Sequence, residues 1–369
     1  MTTTATTGSG PEGLRTLFVG PVPPLRGGIA QHGARLAEAF GRRGTLEVRT
    51  WRALYPGFLY KRDQRDESAT PFPGAEARLS WWSPLSWRAA GRRGRAFDLV
   101  VLPWVTPFHA VACRTIARAA RPTPTVAVVH NALPHEPMPM QRSLTRAGLR
   151  PMRGFVVHSG SVRSSLRELL SGRTAELVPH PPNLELAPTP LPPAEPLRLL
   201  FLGFVRAYKG LDIALDALGE MVQHGRDAHL TVAGEFWDSL EEWTGRVRDA
   251  GLVERVDLRP GYQSDETMAE LLASHHVLVA PYRSATQSGV VPLAHAAGRP
   301  VVATNVGGLA EQVGDAGVVV PPEDPLGFAQ AIESVGADLE GFAARARRAA
   351  SSWDDVVDAA LRAAGLQTS

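Results

Sequence analysis

A chain of 369 residues, 44% hydrophobic and 21% charged, carries enough apolar mass for two folded domains and too much for an overall disordered polymer. Its 39 basic and 37 acidic side chains leave a net charge of only +2, which argues against wholesale nucleic-acid binding, and no apolar run approaches the roughly twenty residues of a membrane span. The one cysteine, Cys113, excludes an intramolecular disulfide and a cysteine-based zinc cluster and fits a reducing cytoplasm.

Residues 1–14 begin MTTTATTGSGPEG, lack the basic start and apolar core of a signal peptide, and read as a disordered tail. Short valine-rich strand candidates follow at Leu17 to Gly20, Leu46 to Trp51, Leu99 to Pro103, Val126 to His130, Phe155 to His158 and Leu177 to Pro179. After the first comes GPVPPLRGGIAQH, where Gly27 and Gly28 precede a helix over Ile29 to Phe40 with His32 in its first turn. A glycine pair there admits close approach by a donor phosphate or serves a turn needing positive φ; the spacing is not GxGxxG, so a dinucleotide fingerprint is absent. The segment Leu54 to Ala75, with Tyr55, Phe58 and Tyr60, reads as a long loop, either a surface excursion or a substrate contact. Beyond Val126 lies HNALPHEP, the densest polar cluster of the first half: His130, Asn131, His135 and Glu136. A histidine at a strand end can bond a substrate hydroxyl or phosphate, and a neighbouring carboxylate can deprotonate or orient an acceptor. The loop lacks the helical spacing of a zinc site, and no metal is expected. His158 and His180 follow strands and are assigned structural or interdomain roles. Arginines cluster at Arg42 and Arg43, at Arg92, Arg93 and Arg95, and at Arg142, Arg146, Arg150 and Arg153. Such a basic face suits either plain solvent or phosphates and anionic lipid head groups.

A proline-rich break, LAPTPLPPAEP, separates these strands from a second series at Leu199 to Gly203, Leu230 to Gly234, Val256 to Leu258, Val277 to Ala280, Pro300 to Thr304 and Val318 to Val320. Helices are placed at Leu211 to Val222, Ser239 to Ala250 and Phe342 to Leu366. Strands alternating with amphipathic helices mean parallel sheets covered on both faces, hence an α/β chain of two Rossmann-like doubly wound domains. The expected division is 15–190, 191–345 and a C-terminal helical segment 346–369 crossing back to the first domain. In open parallel sheets ligands bind beyond the carboxyl ends of strands. There stand Gly203, Arg206 and Lys209 in GFVRAYKG, and Glu235 with Trp237 in AGEFWDS. Two fixed cations before a helix suit a diphosphate leaving group. The stretch VLVAPYRSATQSGVVPLAHAAGRPVVATNVGGLAE reads as strand, loop and helix start near Gln287, Ser288 and Gly289, a place where free backbone N–H groups welcome an anion.

Taken together, the GG loop, the strand-end histidine loop, the cations before KG, the strand ending in AGE, and the SGVVPLAHAAGRPVVATNVGGLAE block resemble the GT-B glycosyltransferases of family 4 over nearly the whole chain. The resemblance implies two domains facing a cleft and a retaining, metal-independent transferase of hexosyltransferase type. It also implies no cofactor, since the nucleotide sugar is the donor substrate, and an acceptor that is a glycan, a lipid-linked glycan or a small molecule. Arg206 and Lys209 would contact the donor diphosphate, Ser288 and Gly289 would offer it backbone donors, and Glu311 would lie near the nucleotide. Gly28 and His130 would face the transferred sugar and acceptor, with His32, Asn131 and His135 beside them. The family commonly shows two glutamates separated by seven residues; here those places hold Ala285 and Leu293, and Gln287 is the candidate replacement on the sugar side. The arginine often found directly after the strand-end glycine is Phe204, with Arg206 displaced by two. Polysaccharide or glycoconjugate biosynthesis in the cytoplasm, at the inner membrane face where contact is peripheral, follows as the expected setting. A catalytically silent nucleotide-sugar-binding subunit and an epimerase on the same fold are the alternatives.

Overall fold

The computed structural model describes residues 13–57, 63–66, 69–133, 140–285 and 287–366. The chain divides into two compact units, Met1–Val178 joined by Ser352–Ser369, and Pro179–Ser351. In the N-terminal unit β1 (Leu14–Val19), α1 (Gly28–Arg42), β2 (Gly44–Trp51), β3 (Glu76–Leu79), α2 (Pro84–Arg93), β4 (Leu99–Trp104), α3 (Ala110–Ala120), β5 (Thr125–Val129), α4 (Gln141–Leu149), β6 (Gly154–Val157), α5 (Gly160–Leu169) and β7 (Glu176–Leu177) succeed one another. Their sheet has the order β3-β2-β1-β4-β5-β6-β7 with parallel pairing throughout. The central strands β4, β5 and β6 are fully buried and nearly uninterrupted apolar runs, because both faces are covered. Alternate residues feed separate cores: Leu17, Val100, Leu102, Ala127 and Phe155 pack with α2 to α5, whereas Phe18, Val101, Val126, Val128 and Val156 pack with α1 and the last helix.

The C-terminal unit repeats the plan. It comprises β8 (Leu197–Leu202), α6 (Leu211–Gln223), β9 (Ala228–Gly234), α7 (Leu240–Asp249), β10 (Val256–Pro260), α8 (Asp265–Ser274), β11 (Val277–Ala280), α9 (Val290–Ala296), β12 (Val301–Thr304), α10 (Leu309–Val313), β13 (Gly317–Val320), α11 (Pro325–Ala337) and α12 (Leu339–Ala349). The parallel sheet runs β10-β9-β8-β11-β12-β13. Leu199 and Phe201 join the core under α6 and α11, and Leu200 and Leu202 the one under α8, α9 and α10.

Several expectations shift. Leu14, placed in the tail, is the first residue of β1, and residues 1–12 lie outside the described residues. The strand β3 was not foreseen; it is four residues long and only its last, Leu79, is buried. The expected helix Phe342 to Leu366 is two helices. Ala350 adopts extended backbone, and Ser352 caps α13 (Trp353–Ala364) in a reciprocal box with Asp355. After that break α13 lies on β5, β6 and α1 of the N-terminal unit. Gly154 permits this closeness, since a Cβ there would sit 2.1 Å from the Ala363 carbonyl oxygen.

The proline-rich stretch is not the boundary, which falls at Val178/Pro179. That stretch belongs to the wall of the C-terminal unit, because two buried side chains hold its carbonyls. Arg299, 1% exposed, donates to Thr189 O at 2.9 Å and Pro190 O at 2.8 Å, and also to Leu272 O at 2.7 Å and Ala273 O at 3.0 Å near the end of α8. Burial lowers its pKa to about 10, so it stays charged at neutral pH and the carbonyls act as its solvation shell. His276 accepts from Arg198 N through Nδ1 at 2.9 Å and therefore donates through Nε2 to Pro193 O at 3.0 Å.

One histidine of this core has a price in acid. His295, 3% exposed in α9 with its Nε2 lacking a partner among the described residues, is pushed by burial from 6.5 to about 4. Its folded pKa lies below the unfolded one, so the stability it permits is complete above about pH 6.5 and drains away as pH falls towards 4, by about 3 kcal/mol in all. Chemical unfolding of His295→Leu should show unchanged or higher stability at neutral pH and a shallower loss in acid; identical acid slopes for the two proteins would refute this origin.

Candidate functional site

In the C-terminal sheet the winding reverses between β8 and β11, opening a crevice at their carboxyl ends. The loops there hold Gly203, Arg206 and Lys209 after β8, Glu235 after β9, Gln287, Ser288 and Gly289 after β11, and Glu311 in the first turn of α10 after β12. All of the candidates assigned to this half of the chain therefore lie along one edge. Gly203 has φ +105 and Gly210 φ +69; a Cβ on Gly210 would meet the Pro281 carbonyl oxygen at 2.0 Å, which draws the two loops together.

A hydrogen-bond chain links the loops. Lys209 Nζ donates to Tyr282 Oη at 2.7 Å and lies 4.1 Å from that ring's centroid. Since the phenolic oxygen accepts from the ammonium, its own hydrogen is available to Ser288 Oγ at 3.2 Å. Ser288 in turn donates its backbone N–H to Gln312 Oε1 at 2.7 Å and accepts at its carbonyl from Gln312 Nε2 at 3.1 Å. Thr304 Oγ1 donates to the Tyr282 carbonyl. The expectation that the Ser288 amide serves a ligand is thus corrected: Gln312 already occupies it. The helix proper starts at Val290, three residues beyond Gln287, and Gly289 is its cap. Gly289 is exposed, and a Cβ there would meet nothing within 4 Å.

Arg206 is half-buried, its guanidinium 3.8 Å from the Trp237 ring centroid and 5.9 Å from that of Tyr208. Cation–π contact of this kind holds a cation without neutralising it. Arg283 braces the loop from beneath, donating to both Asp212 oxygens at 2.8 and 2.7 Å and to the Ala207 carbonyl at 3.0 Å. The bidentate bond to Arg283 lowers the Asp212 pKa and raises that of Arg283. Tyr282, Gln312, Thr304 and this ion pair escaped the sequence reading; the clue for Tyr282 is its place directly behind a buried strand, while Gln312 stands only one residue after Glu311.

In the N-terminal unit Gly27 has φ +104 and caps α1, and Gly28 opens it; neither would crowd a Cβ, so the backbone there is open to approach. His32 is 2% exposed and packs its ring edge-on against His130, 4.1 Å between centroids, and against Trp353, 4.7 Å. Its Nε2 lies 3.1 Å from His158 Nε2. Because His158 Nδ1 donates to the Val178 carbonyl at 3.0 Å, neutral His158 accepts at Nε2, and His32 carries its proton on Nε2. His32 is thus a support for His130 from within the core. His130 is half-buried and Asn131 exposed; His135 and Glu136 lie outside the described residues, as do Phe58 and Tyr60. Tyr55 packs against the core. His180 donates through Nδ1 to the Pro181 carbonyl at 2.7 Å, so that nitrogen bears the proton.

The family described as Glycosyltransferase Family 4 matches residues 26–186, and that described as Glycosyl transferases group 1 matches residues 196–338. In structure the chain is similar to Anabaena Alr3699/HepE in complex with UDP, with a TM-score of 0.62 and 17% identity over 94% of this chain and 95% of that one. The chain belongs to the family 4-like GT-B glycosyltransferases. Within curated relatives it is 32% identical over 184 residues to a D-inositol 3-phosphate glycosyltransferase 1 of Catenulispora acidiphila, covering 46% of this chain and 44% of that one. It is 32% identical over 213 residues to a glycogen synthase of Mycobacterium tuberculosis, covering 54% and 49%. The chain thus spans about half the length of the curated relatives it matches. Of the two places where this glycosyltransferase family commonly has glutamates, Leu293 is 7% exposed and packs in the core with Val291 and Leu309. A carboxylate there would be buried among apolar side chains.

The Gln312 clamp is testable by unfolding. Gln312→Ala orphans the amide of Ser288, a residue 4% exposed, and should cost about 1–3 kcal/mol. Gln287→Ala, at an exposed position, should stay within about 0.5 kcal/mol. Equal effects would dismiss the clamp.

Proposed function

We propose that this chain transfers a hexose from a nucleoside-diphosphate sugar to an acceptor hydroxyl with retention of configuration and without a metal. The observation that carries the reading is the convergence of Arg206, Lys209 and the Ser288–Gly289 loop at the carboxyl ends of β8 and β11. Two cations at one crevice, one held by an indole face and one by a phenol, offer a diphosphate the charge compensation that a divalent ion otherwise supplies. The UDP named in the Alr3699/HepE complex supports a nucleoside diphosphate as the ligand class.

In this reading the bond between the sugar C1 and the β-phosphate oxygen breaks while Arg206 and Lys209 take up the developing negative charge. The acceptor oxygen bonds to C1 from the same face, and its proton passes to the departing phosphate oxygen, so no covalent enzyme intermediate forms. His130, steadied by His32, would orient the transferred sugar and acceptor, together with Asn131, His135, Glu136 and Gly28. Glu235 and Glu311 flank the crevice on the nucleotide side, with Gln287 nearest the sugar. Among the described residues no helix is long and apolar enough to cross a membrane. The acceptor, a glycan, lipid-linked glycan or small molecule, would be met in the cytoplasm or at the inner membrane face.

Arg206→Ala and Lys209→Ala should each lower kcat by about a hundredfold or more, because each removes one charge aimed at the leaving group; the melting temperature should hold in the first and fall only slightly in the second, where Tyr282 Oη loses its donor. Near-normal turnover in both would sink the assignment. Donor binding with no transfer to any acceptor would indicate a silent binding subunit, and isomerised donor without acceptor an epimerase. With EDTA present, turnover should be unchanged; loss restored by a divalent ion would overturn the metal-free mechanism.

A further inference from the structure

The net charge of +2 conceals a steep asymmetry. Between Ala77 and Arg167 the chain carries fourteen arginines and only two carboxylates, Asp98 and Glu136. Asp98 is already paired with Arg15 at 2.7 Å. The remainder of the chain is correspondingly acidic, so this excess belongs to one region. That region builds α2, α3, α4 and α5, which pack side by side on one face of the N-terminal sheet.

Exposed positions recur along the outer sides of these helices. In α2 they are Leu85, Arg88, Ala89 and Arg92, and in α3 Val111 and Arg118, with Arg114 half-buried between them. Gly91 lets the two helices touch, since a Cβ there would lie 2.4 Å from the Ile116 carbonyl oxygen. Among the described residues Arg88, Arg92, Arg118 and Arg163 have no carboxylate partner and no interaction beyond those given for them. A cation at the end of a helix is expected from the helix dipole, and that accounts for Arg92 and Arg118. It leaves Arg88 in mid-helix and Arg163 near the start of α5 without a structural reason. Large apolar side chains stand exposed at the other end of the same helices: Trp82 at 66%, Leu85 at 80% and Val111 at 56%. At the C-terminal ends of α3 and α4 a cavity of about 530 Å³ is lined by Arg121, Arg150, Arg153 and Arg173 with no acidic residue.

We propose that the outer face of α2 to α5 docks on a bilayer of anionic phospholipid, with Trp82 and Leu85 entering the interface and the arginines meeting head-group phosphates. Arginine forks match phosphate oxygens in pairs, and tryptophan and leucine prefer the boundary between head groups and acyl chains. Charge alone would suit any polyanion. The exposed tryptophan and leucine beside the cations favour a surface with an apolar interior. The face belongs to the N-terminal unit, whereas the carboxyl edge of β8 and β11 belongs to the C-terminal one, and docking does not depend on the transferase chemistry.

The test is sedimentation of the full chain with vesicles of phosphatidylcholine alone and of phosphatidylcholine mixed with phosphatidylglycerol, without any donor. Binding should require phosphatidylglycerol and weaken with salt. Each arginine at an anionic surface adds about fivefold to the partition coefficient, so the triple variant Arg88→Glu, Arg92→Glu, Arg118→Glu should lose about a hundredfold or more. The pair Trp82→Ser, Leu85→Ser should lower binding further at high salt, where the apolar part remains. If the charge-reversed protein fails to fold, Arg→Gln at the same three positions reads the same effect. Equal binding to both vesicle types, no binding to either, or full binding by the triple variant would overturn the proposal. So would binding of soluble polyphosphate with no vesicle binding, which would mark the face as a polyanion site. Retained nucleoside diphosphate binding in the triple variant shows that the C-terminal unit is intact, and keeps failure here separate from failure of the transferase reading.

Discussion

The reversal of strand order between β8 and β11 is the constraint on which the C-terminal unit's chemistry rests. A parallel sheet wound in one direction sends each loop over the next strand and closes its own edge. Where winding reverses, the loops after two neighbouring strands depart to opposite faces and leave a gap lined by backbone. Arg206 and Lys209 come from one of these loops, Ser288 and Gly289 from the other. Because loops of opposite departure share no packing of their own, something has to register them. Lys209, Tyr282, Ser288 and Gln312 do so by a continuous line of hydrogen bonds. Gly210 adds to it by letting the β8 loop lie against the Pro281 carbonyl. The cations are thus held by the protein itself, which in the proposed transferase reading is the condition for electrostatic stabilisation without reorganisation during reaction.

The histidines of the N-terminal unit show the same economy of charge. The Val178 carbonyl fixes His158, His158 fixes the proton on His32, and His32 presents a ring edge to His130. Only the last of the three is half-buried; the others are 7% and 2% exposed. A buried pair sharing one proton avoids the cost of burying charge and still delivers a defined surface to its neighbour. Trp353 closes this cluster from α13, so the helix that returns after Ala350 supports the histidines as well as the sheet.

How far the sequence carried depends on which force acted. Burial on both faces wrote the central strands, β4 to β6 in the first sheet and β8, β9, β11 and β12 in the second, into short apolar runs. Edge strand β3 is short and half-exposed, so Glu76 to Leu79 leaves no such trace. The strand-end cations were visible because charged residues are conspicuous where a helix begins. Gln312 and Tyr282 were not, since their role comes from contacts 24 and 73 residues away along the chain. The proline-rich stretch looked like a linker for the sound reason that prolines cannot enter a central strand. Arg299 and His276, which bind it down, lie about a hundred residues further on and carry no local mark of that duty.

The displacement of the strand-end arginine by two residues has a geometric explanation. Beyond Gly203 the chain does not turn at once: Val205 bridges Phe236, its N–H donates to the Glu235 carbonyl at 2.8 Å, and Trp237 N–H donates back to the Val205 carbonyl at 3.1 Å. The segment stays extended through Arg206, whose φ and ψ are −140° and 153°. In extended backbone successive side chains point to opposite sides and alternate ones to the same side. Val205 is fully buried, while Phe204 is 50% exposed and Arg206 half-buried. Positions 204 and 206 therefore share a side, and a step of one residue would have turned the guanidinium into the core that Val205 fills. A step of two keeps it on the crevice side and carries it one pleat outward, where the Trp237 face receives it. Phe204 then takes the inner place and packs edge-on to the same indole at 6.2 Å, so one aromatic group supports the cation that the other has displaced.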